Sequence, residues 1–269
     1  MRFTKLITNT LRTEPSEAES PSHRFMLKAG MITQIASGIY AYMPLAWRSL
    51  RKIEAIIRHE MDSIGCQEIR MPVLQPIEYW EESGRRNSFG DSLFTLLDRR
   101  KRSLVMAPTH EEIISHLART YVRSYRDLPQ ILYQIQTKFR DEPRPRAGLI
   151  RVREFDMKDA YSFHVNDADL DKTYNDVIGA YKRIYERCGL EVVMVEADSG
   201  AIGGKASHEF MVLSDVGEDT VLMCDSCGYA ANEEKASFDK SINGNHGDDV
   251  LEEIYTPNVK TIEALSNFL

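Results

Sequence analysis

The segment Lys138 to Asp159, KFRDEPRPRAGLIRVREFDMKD, gathers seven cationic side chains in a chain whose formal net charge is −7. Arginine grips a phosphate or carboxylate through a planar fork of N–H donors, and two antiparallel strands can aim several forks at one polyanion. Side chains alternate across a strand, so Arg140 and Glu142 are expected on one face of a first strand. Arg151, Arg153 and Phe155 are then expected on one face of a second. Cations for phosphates beside a flat ring for a base would suit a nucleotide. The competing reading is a solvated hairpin whose arginines pair with Asp141, Glu142, Glu154, Asp156 and Asp159.

Two other stretches carry candidate chemistry. Thr109 precedes a helical pattern and is followed three residues later by Glu112, the sequence form of a capping box, so it reads as a helix N-cap. Cys224 and Cys227 in CDSCGY make a CxxC pair, which supplies half of a tetrahedral zinc set. No second CxxC or spaced CxxH pair follows, so a reduced pair is preferred over a zinc ribbon and no metal is assigned.

The elements that must position these residues follow from periodicity. In Pro44 to Gly65, Leu50, Ile53, Ile57, Met61 and Ile64 recur at three- and four-residue steps, which predicts an amphipathic helix started by Pro44 and closed by Gly65. CQEIRMPVLQP alternates with Ile69, Met71 and Val73 on one face, an edge strand interrupted by Pro72. Glu78 to Asp91 reads as a loop, and LFTLLDRRKRSLVMAP as a hairpin turning on Asp98 to Arg102. QILYQIQTKFRDE and GLIRVREFDMKDAYSF read as paired strands, followed by a helix capped by Asp167 or Asp169. LEVVMVEAD, HEFMVLSD and DTVLMCD supply further strands, and a last helix starts near Thr261. Long helices beside a mainly antiparallel sheet define an α+β fold class.

Composition bounds the function. At 269 residues and 42% hydrophobic content the chain can build a substantial core. Its negative charge and pI near 5.6 exclude wholesale coating of nucleic acid or an anionic membrane, so any such contact is local. No apolar run approaches the roughly 20 residues of a membrane span, and the first residues lack a signal-peptide core; the expected location is the cytoplasm.

FRDE, a loop containing RPR, and RVREFDMKD together resemble the second signature of class II aminoacyl-tRNA synthetases, here about 138–163. The long helix with GCQEIRMPVLQP resembles the first, about 44–76, whose proline would be Pro72. More narrowly, PTHEE, FRDEPRPRAGLIRVREFDMKDAYSFH, ADSGAIGGKASHEF and CGYAANEEKA resemble the bacterial-type prolyl-tRNA synthetase family. The resemblance implies ATP-dependent activation of proline to prolyl-adenylate and transfer to the acceptor end of tRNA(Pro), with magnesium accompanying ATP. It implies that Arg140 bridges the proline carboxylate and the α-phosphate as the catalytic cation. Glu142 and Phe155 would receive adenine, and Arg151 the terminal phosphates. Thr109 and Glu111 match the family's Thr-x-Glu element and would accept from the secondary ammonium of proline, which leaves the N-cap reading of Thr109 open. Met157, Tyr161 and Ile202 would line the ring pocket, with Tyr161 equally readable as core. Arg144 and Arg146 would meet the tRNA acceptor end, and the first signature would make a homodimer.

The resemblance also sets boundaries. Residues 1–232 correspond to the N-terminal part of a class II catalytic domain, 233–255 to a linker, and 256–269 to the start of an editing-type insertion. No glycine-rich third signature ending in arginine is present, so an apparently incomplete sheet and weak activity of the isolated chain are expected. The rival readings are a non-catalytic paralogue, a synthetase for threonine or serine, and a generic tRNA-binding module.

Overall fold

The computed structural model describes residues 2–13, 15, 16, 18, 20–199, 206–237, 254–257 and 261–268. From the N-terminus come α1 (Pro21–Lys28), β1 (Ile32–Ala36), β2 (Ile39–Tyr42), α2 (Pro44–Ser63), β3 (Gln67–Glu68) and β4 (Leu74–Pro76). Next are α3 (Ile77–Glu82), α4 (Arg85–Phe89), β5 (Thr95–Leu97), β6 (Ser103–Met106) and α5 (Glu111–Tyr121). The middle of the chain forms β7 (Gln130–Phe139), β8 (Glu154–Phe163) and α6 (Asp167–Arg187). Beyond lie β9 (Val193–Glu196), β10 (His208–Met211), β11 (Val221–Met223), β12 (Ala230–Asn232) and α7 (Ile262–Phe268).

The expected α+β class holds. β7 and β8 pair antiparallel along their full length, from Gln130 opposite Phe163 to Phe139 opposite Glu154, and β3 joins β7 in parallel. A second sheet runs β4-β6-β5, a third β10-β9-β12-β11, and β1 and β2 form a separate hairpin. One face of β7–β8 is covered by α2 and α6, where Met61, Cys66, Tyr133, Ala180 and Ile184 form a buried cluster. Glu60 of α2, 5% exposed, clamps the two helices by accepting from Arg183 Nε at 2.6 Å and Arg187 Nη1 at 2.5 Å. Those two arginines, Arg183 first, hold its carboxyl below the usual range.

The caps explain where α2 stops. Pro44 occupies its first turn. At the other end Gly65 takes φ +82°, its N–H reaches Asp62 O at 3.0 Å and Cys66 N–H reaches Met61 O at 3.2 Å, the paired bonds of a Schellman turn. Ile57, Met61 and Ile64 face the core as the periodicity requires, whereas Ile53 is 41% exposed.

Several local expectations are corrected. The stretch from Cys66 to Pro76 is two short strands, because Met71 bonds to side chains instead of a neighbouring strand: its N–H donates to Gln134 Oε1 and its carbonyl accepts from Gln136 Nε2. The loop expected at 78–91 contains α3 and α4, held by burial of Ile77 and Trp80. α6 is capped by Asn166, whose side chain accepts from Asp169 N–H; Asp167 and Asp169 lie in its first turn. β12 was not anticipated in the sequence. The hairpin turning on Asp98 is present, with the Asp98 carboxylate accepting from the Arg100 and Arg102 N–H groups. Most of the expected linker, and Ile202, lie outside the described residues.

Candidate active site

The face of β7–β8 opposite α2 and α6 carries a row of polar and aromatic side chains. Gln134, Gln136 and Lys138 alternate along β7, and their register partners on β8 are Asp159, Met157 and Phe155. Arg140 follows one step past the strand, where its N–H still donates to Arg153 O at 3.0 Å. Tyr161 completes the row on β8. Period two and the β7–β8 register together bring Arg140, Phe155, Met157 and Tyr161 to one surface. Helix α5 covers one end of it, packing Ile113 and Ile114 with Met71 and against Leu132, Tyr161 and Phe163.

Thr109 and Glu111 stand at the entry to α5. The helix begins with His110 as its N-cap, without side-chain capping, so Thr109 is not the cap. Its hydroxyl instead donates to Glu111 Oε2. That donation uses the only hydrogen of the hydroxyl, so toward a ligand Thr109 Oγ1 can only accept. Arg140 lies next to this pair. Its guanidinium sits 5.3 Å from the centre of the Phe155 ring and reaches Pro108 O at 3.5 Å. Desolvation lowers the Arg140 pKa and the Glu111 charge opposes that, leaving a permanent cation. Two acceptors, a cation and an aromatic face therefore stand together.

A buried polar network supports this turn. His110 is fully buried; its Nε2 donates to Pro72 O at 3.1 Å and its Nδ1 accepts from Lys138 Nζ. Lys138, also without exposure, lies 2.8 Å from Asp159 Oδ1. Asp159 Oδ2 accepts from Gln134 Nε2 at 2.9 Å and from the Tyr161 hydroxyl at 2.7 Å, and that hydroxyl accepts the His110 N–H at 3.2 Å. Burial first, then the Lys138 charge, pushes His110 down to about 4, so the imidazole is neutral. Burial also lowers Lys138 and, with Asp159, raises the Tyr161 phenol. The Tyr161 ring is thus core packing while its hydroxyl is part of the network.

The arginines of the connecting loop are arranged differently from the expectation. Arg151 and Arg153 precede β8, and only Phe155 of that trio lies within the strand. The ladder cannot extend because Pro143 and Pro145 lack N–H donors and the chain reverses through Ala147 and Gly148 at φ +54° and +67°. An isolated bridge between Arg146 and Arg151 closes the loop. Both arginines approach Glu218 Oε2, at 2.8 and 3.6 Å respectively. Arg153 braces the loop by donating to Glu142 O at 3.0 Å, with Asp141 at 3.5 Å. Glu142 Oε1 accepts the Arg144 N–H at 3.2 Å, and the Arg144 side chain is exposed.

Sequence reasoning missed Arg85, His110, Lys138, Gln134 and Asp159. The signal for two of them was present: Gln134 and Lys138, with Gln136 between them, fall on every second position of the strand, a pattern that demands buried polar partners. Among the described residues no group of three His, Cys, Asp or Glu is placed to hold a metal ion. Cys224 and Cys227 are free thiols, and N–H groups of Cys227 and Ser226 pull the half-buried Cys224 thiol below its ordinary pKa.

The family model for the tRNA synthetase class II core domain (G, H, P, S and T) matches residues 94–243, more than half of the chain, and the chain belongs to that family. It is 57% identical over its whole length to a proline–tRNA ligase of Dehalococcoides mccartyi, covering 47% of that protein. It is 54% identical to the corresponding enzyme of Caldicellulosiruptor saccharolyticus, again over all of this chain and 47% of the relative. The chain therefore spans about half the length of the curated relatives it matches. Prolyl-tRNA synthetase of Cryptosporidium parvum complexed with halofuginone and AMPPNP shares the fold, with a TM-score of 0.63 and 21% identity over 70% of this chain and 39% of that one. The same enzyme with L-proline and AMP gives a TM-score of 0.61 at 20% identity, with the same coverage. No described helix is long and apolar enough to cross a membrane.

Proposed function

We propose that this chain forms part of the catalytic domain of a proline–tRNA ligase, which condenses proline with ATP to prolyl-adenylate and transfers the prolyl group to tRNA(Pro). The observation that carries the reading is the Thr109–Glu111–Arg140 grouping beside Phe155. A secondary ammonium has two N–H donors, and the site offers Thr109 Oγ1 and the Glu111 carboxylate as acceptors. The proline carboxylate would then lie toward Arg140. Attack of a carboxylate oxygen on the α-phosphate expels pyrophosphate and brings two anions together. A fixed guanidinium at that point lowers the barrier by preorganised electrostatics.

Phe155, 5.3 Å from the Arg140 guanidinium, would stack adenine while Arg140 meets the α-phosphate, and Glu142 would accept from the adenine amino group. Arg151 would exchange Glu218 for the terminal phosphates, a modest cost because that pair is about half exposed. Met157 and Tyr161, with Ile202, would bound the proline ring. Magnesium would arrive with the nucleotide, bound to its phosphate oxygens.

Arg144 and Arg146 on the Pro143–Pro145 loop would contact the tRNA acceptor end, in a cytoplasmic enzyme. A homodimer through residues 44–76 is supported by the exposed apolar side chains Trp47, Ile53 and Leu74 in that region. Proline-dependent ATP–pyrophosphate exchange by the complete protein tests the reading. Exchange that needs proline and disappears in Arg140→Ala is the expected result; exchange driven by another amino acid, or surviving in Arg140→Ala, overturns it.

A further inference from the structure

Arg85 lies in the stretch that the sequence reads only as a loop, yet its Nη1 stands 3.0 Å from Glu111 Oε2 and 3.0 Å from Glu112 Oε1. Its guanidinium lies against two mutually packed aromatic rings, 5.6 Å from the Trp80 centroid and 5.2 Å from that of Phe89. Trp80 is fully buried and donates to Gln75 Oε1 at 2.8 Å, while Gln75 Nε2 donates to the Thr109 carbonyl at 3.2 Å. The arginine is thus fixed on a rigid platform that also grips Thr109. Its side chain is only 19% exposed, and the Glu112 carboxylate it meets is 1% exposed. Ser83 donates to the same Glu112 oxygen at 3.1 Å.

The consequence is a polarity. Glu111 Oε2 receives both the Thr109 hydroxyl and Arg85, so Oε1 is the oxygen left for a ligand. With Oε2 anchored by a cation, the Thr109 hydroxyl is kept pointing its hydrogen at Glu111 and its lone pairs elsewhere. We infer that Arg85 is a positioning residue for the amino acid: it orients Glu111 and, through Glu111, fixes Thr109 as a pure acceptor for the substrate's secondary ammonium. Without Arg85, Glu111 can rotate and the Thr109 hydroxyl can turn into a donor, which repels an N–H group. Glu111 and Glu112 would also face each other without a cation between them. The inference rests on the proline-ligase reading of the site and adds to it a residue with no contact to substrate.

The test uses the complete protein and compares Arg85→Gln and Arg85→Lys with the parent in ATP–pyrophosphate exchange. Arg85→Gln is expected to raise the KM for proline about tenfold or more, while the KM for ATP stays within about twofold. Arg85→Lys keeps a cation near both carboxylates and is expected to recover part of the loss. A proline KM unchanged in Arg85→Gln, or proline and ATP KM values rising together, overturns the inference. Should Arg85→Gln fail to fold, Arg85→Lys decides: a proline-selective rise of about threefold or more supports the role, and parent-like values refute it. A parent protein without proline-dependent exchange would defeat the functional reading itself, a result separate from any effect at Arg85.

Discussion

Lys138 and Asp159 form an ion pair at 2.8 Å across the β7–β8 ladder, with the lysine side chain wholly removed from solvent. Breaking one member of a buried pair leaves an uncompensated charge, so Lys138→Met should cost about 3–5 kcal/mol in urea denaturation. Asp159→Asn should also destabilise, and the double variant should lose less than the sum of the two. A strictly additive double-mutant cycle would show that the pair is not coupled.

The neutral state of His110 gives stability a pH dependence of known sign. Its folded pKa of about 4 lies below the ordinary 6.5, so the unfolded chain binds the proton first. The contribution is complete above about 6.5 and is lost as the pH falls toward 4. Urea midpoints measured across that window should fall more steeply in the parent than in His110→Gln, which keeps an acceptor for Lys138 and a donor for Pro72. Equal slopes would place the imidazole outside the network.

Thr109 offers a test of the acceptor geometry. Thr109→Val preserves shape and removes the hydroxyl; a hydrogen bond to a charged group is worth about 1.5–3 kcal/mol. The kcat/KM for proline should therefore drop roughly tenfold to a hundredfold, with the KM for ATP unaffected. Thr109→Ser should remain near the parent. Pyrophosphate exchange at varied proline and ATP separates these outcomes.

Gly38 connects the β1–β2 hairpin to the arginine loop. It adopts φ +73°, its carbonyl accepts the Arg153 N–H at 2.9 Å, and a Cβ there would lie 2.7 Å from the Pro145 ring. Gly38→Ala must displace the loop and should lower the melting temperature, with a cost of roughly 1 kcal/mol or more. If Arg144 and Arg146 serve tRNA, aminoacylation should suffer more than exchange. Equal losses in both assays would remove the loop from tRNA binding.

Much of this organisation could be read from local pattern. Helix α2, the Asp98 hairpin and the β7–β8 pair follow from periodicity and turn chemistry, which depend on neighbours in sequence. Phe155, Met157 and Tyr161 share a face because a strand alternates, whereas the register of β8 against β7, which brings that face to the Arg140 side, had to come from the structure. The same reasoning failed at Arg151 and Arg153, where prolines and positive-φ residues ended the ladder early. It failed again at 78–91, where burial of Trp80 makes a helix of a stretch with polar composition.

By itself, the sequence determined which residues alternate onto the site face and where the long elements begin, since both are set by bonds between near neighbours. Only the tertiary structure decided whether Thr109 caps a helix or donates to Glu111. It likewise decided that Arg85, 26 positions from Glu111, would anchor that carboxylate. The physical reason is the same in both cases. A buried polar side chain takes whatever partner the packed core brings within hydrogen-bond reach, and that partner is chosen by the meeting of distant segments.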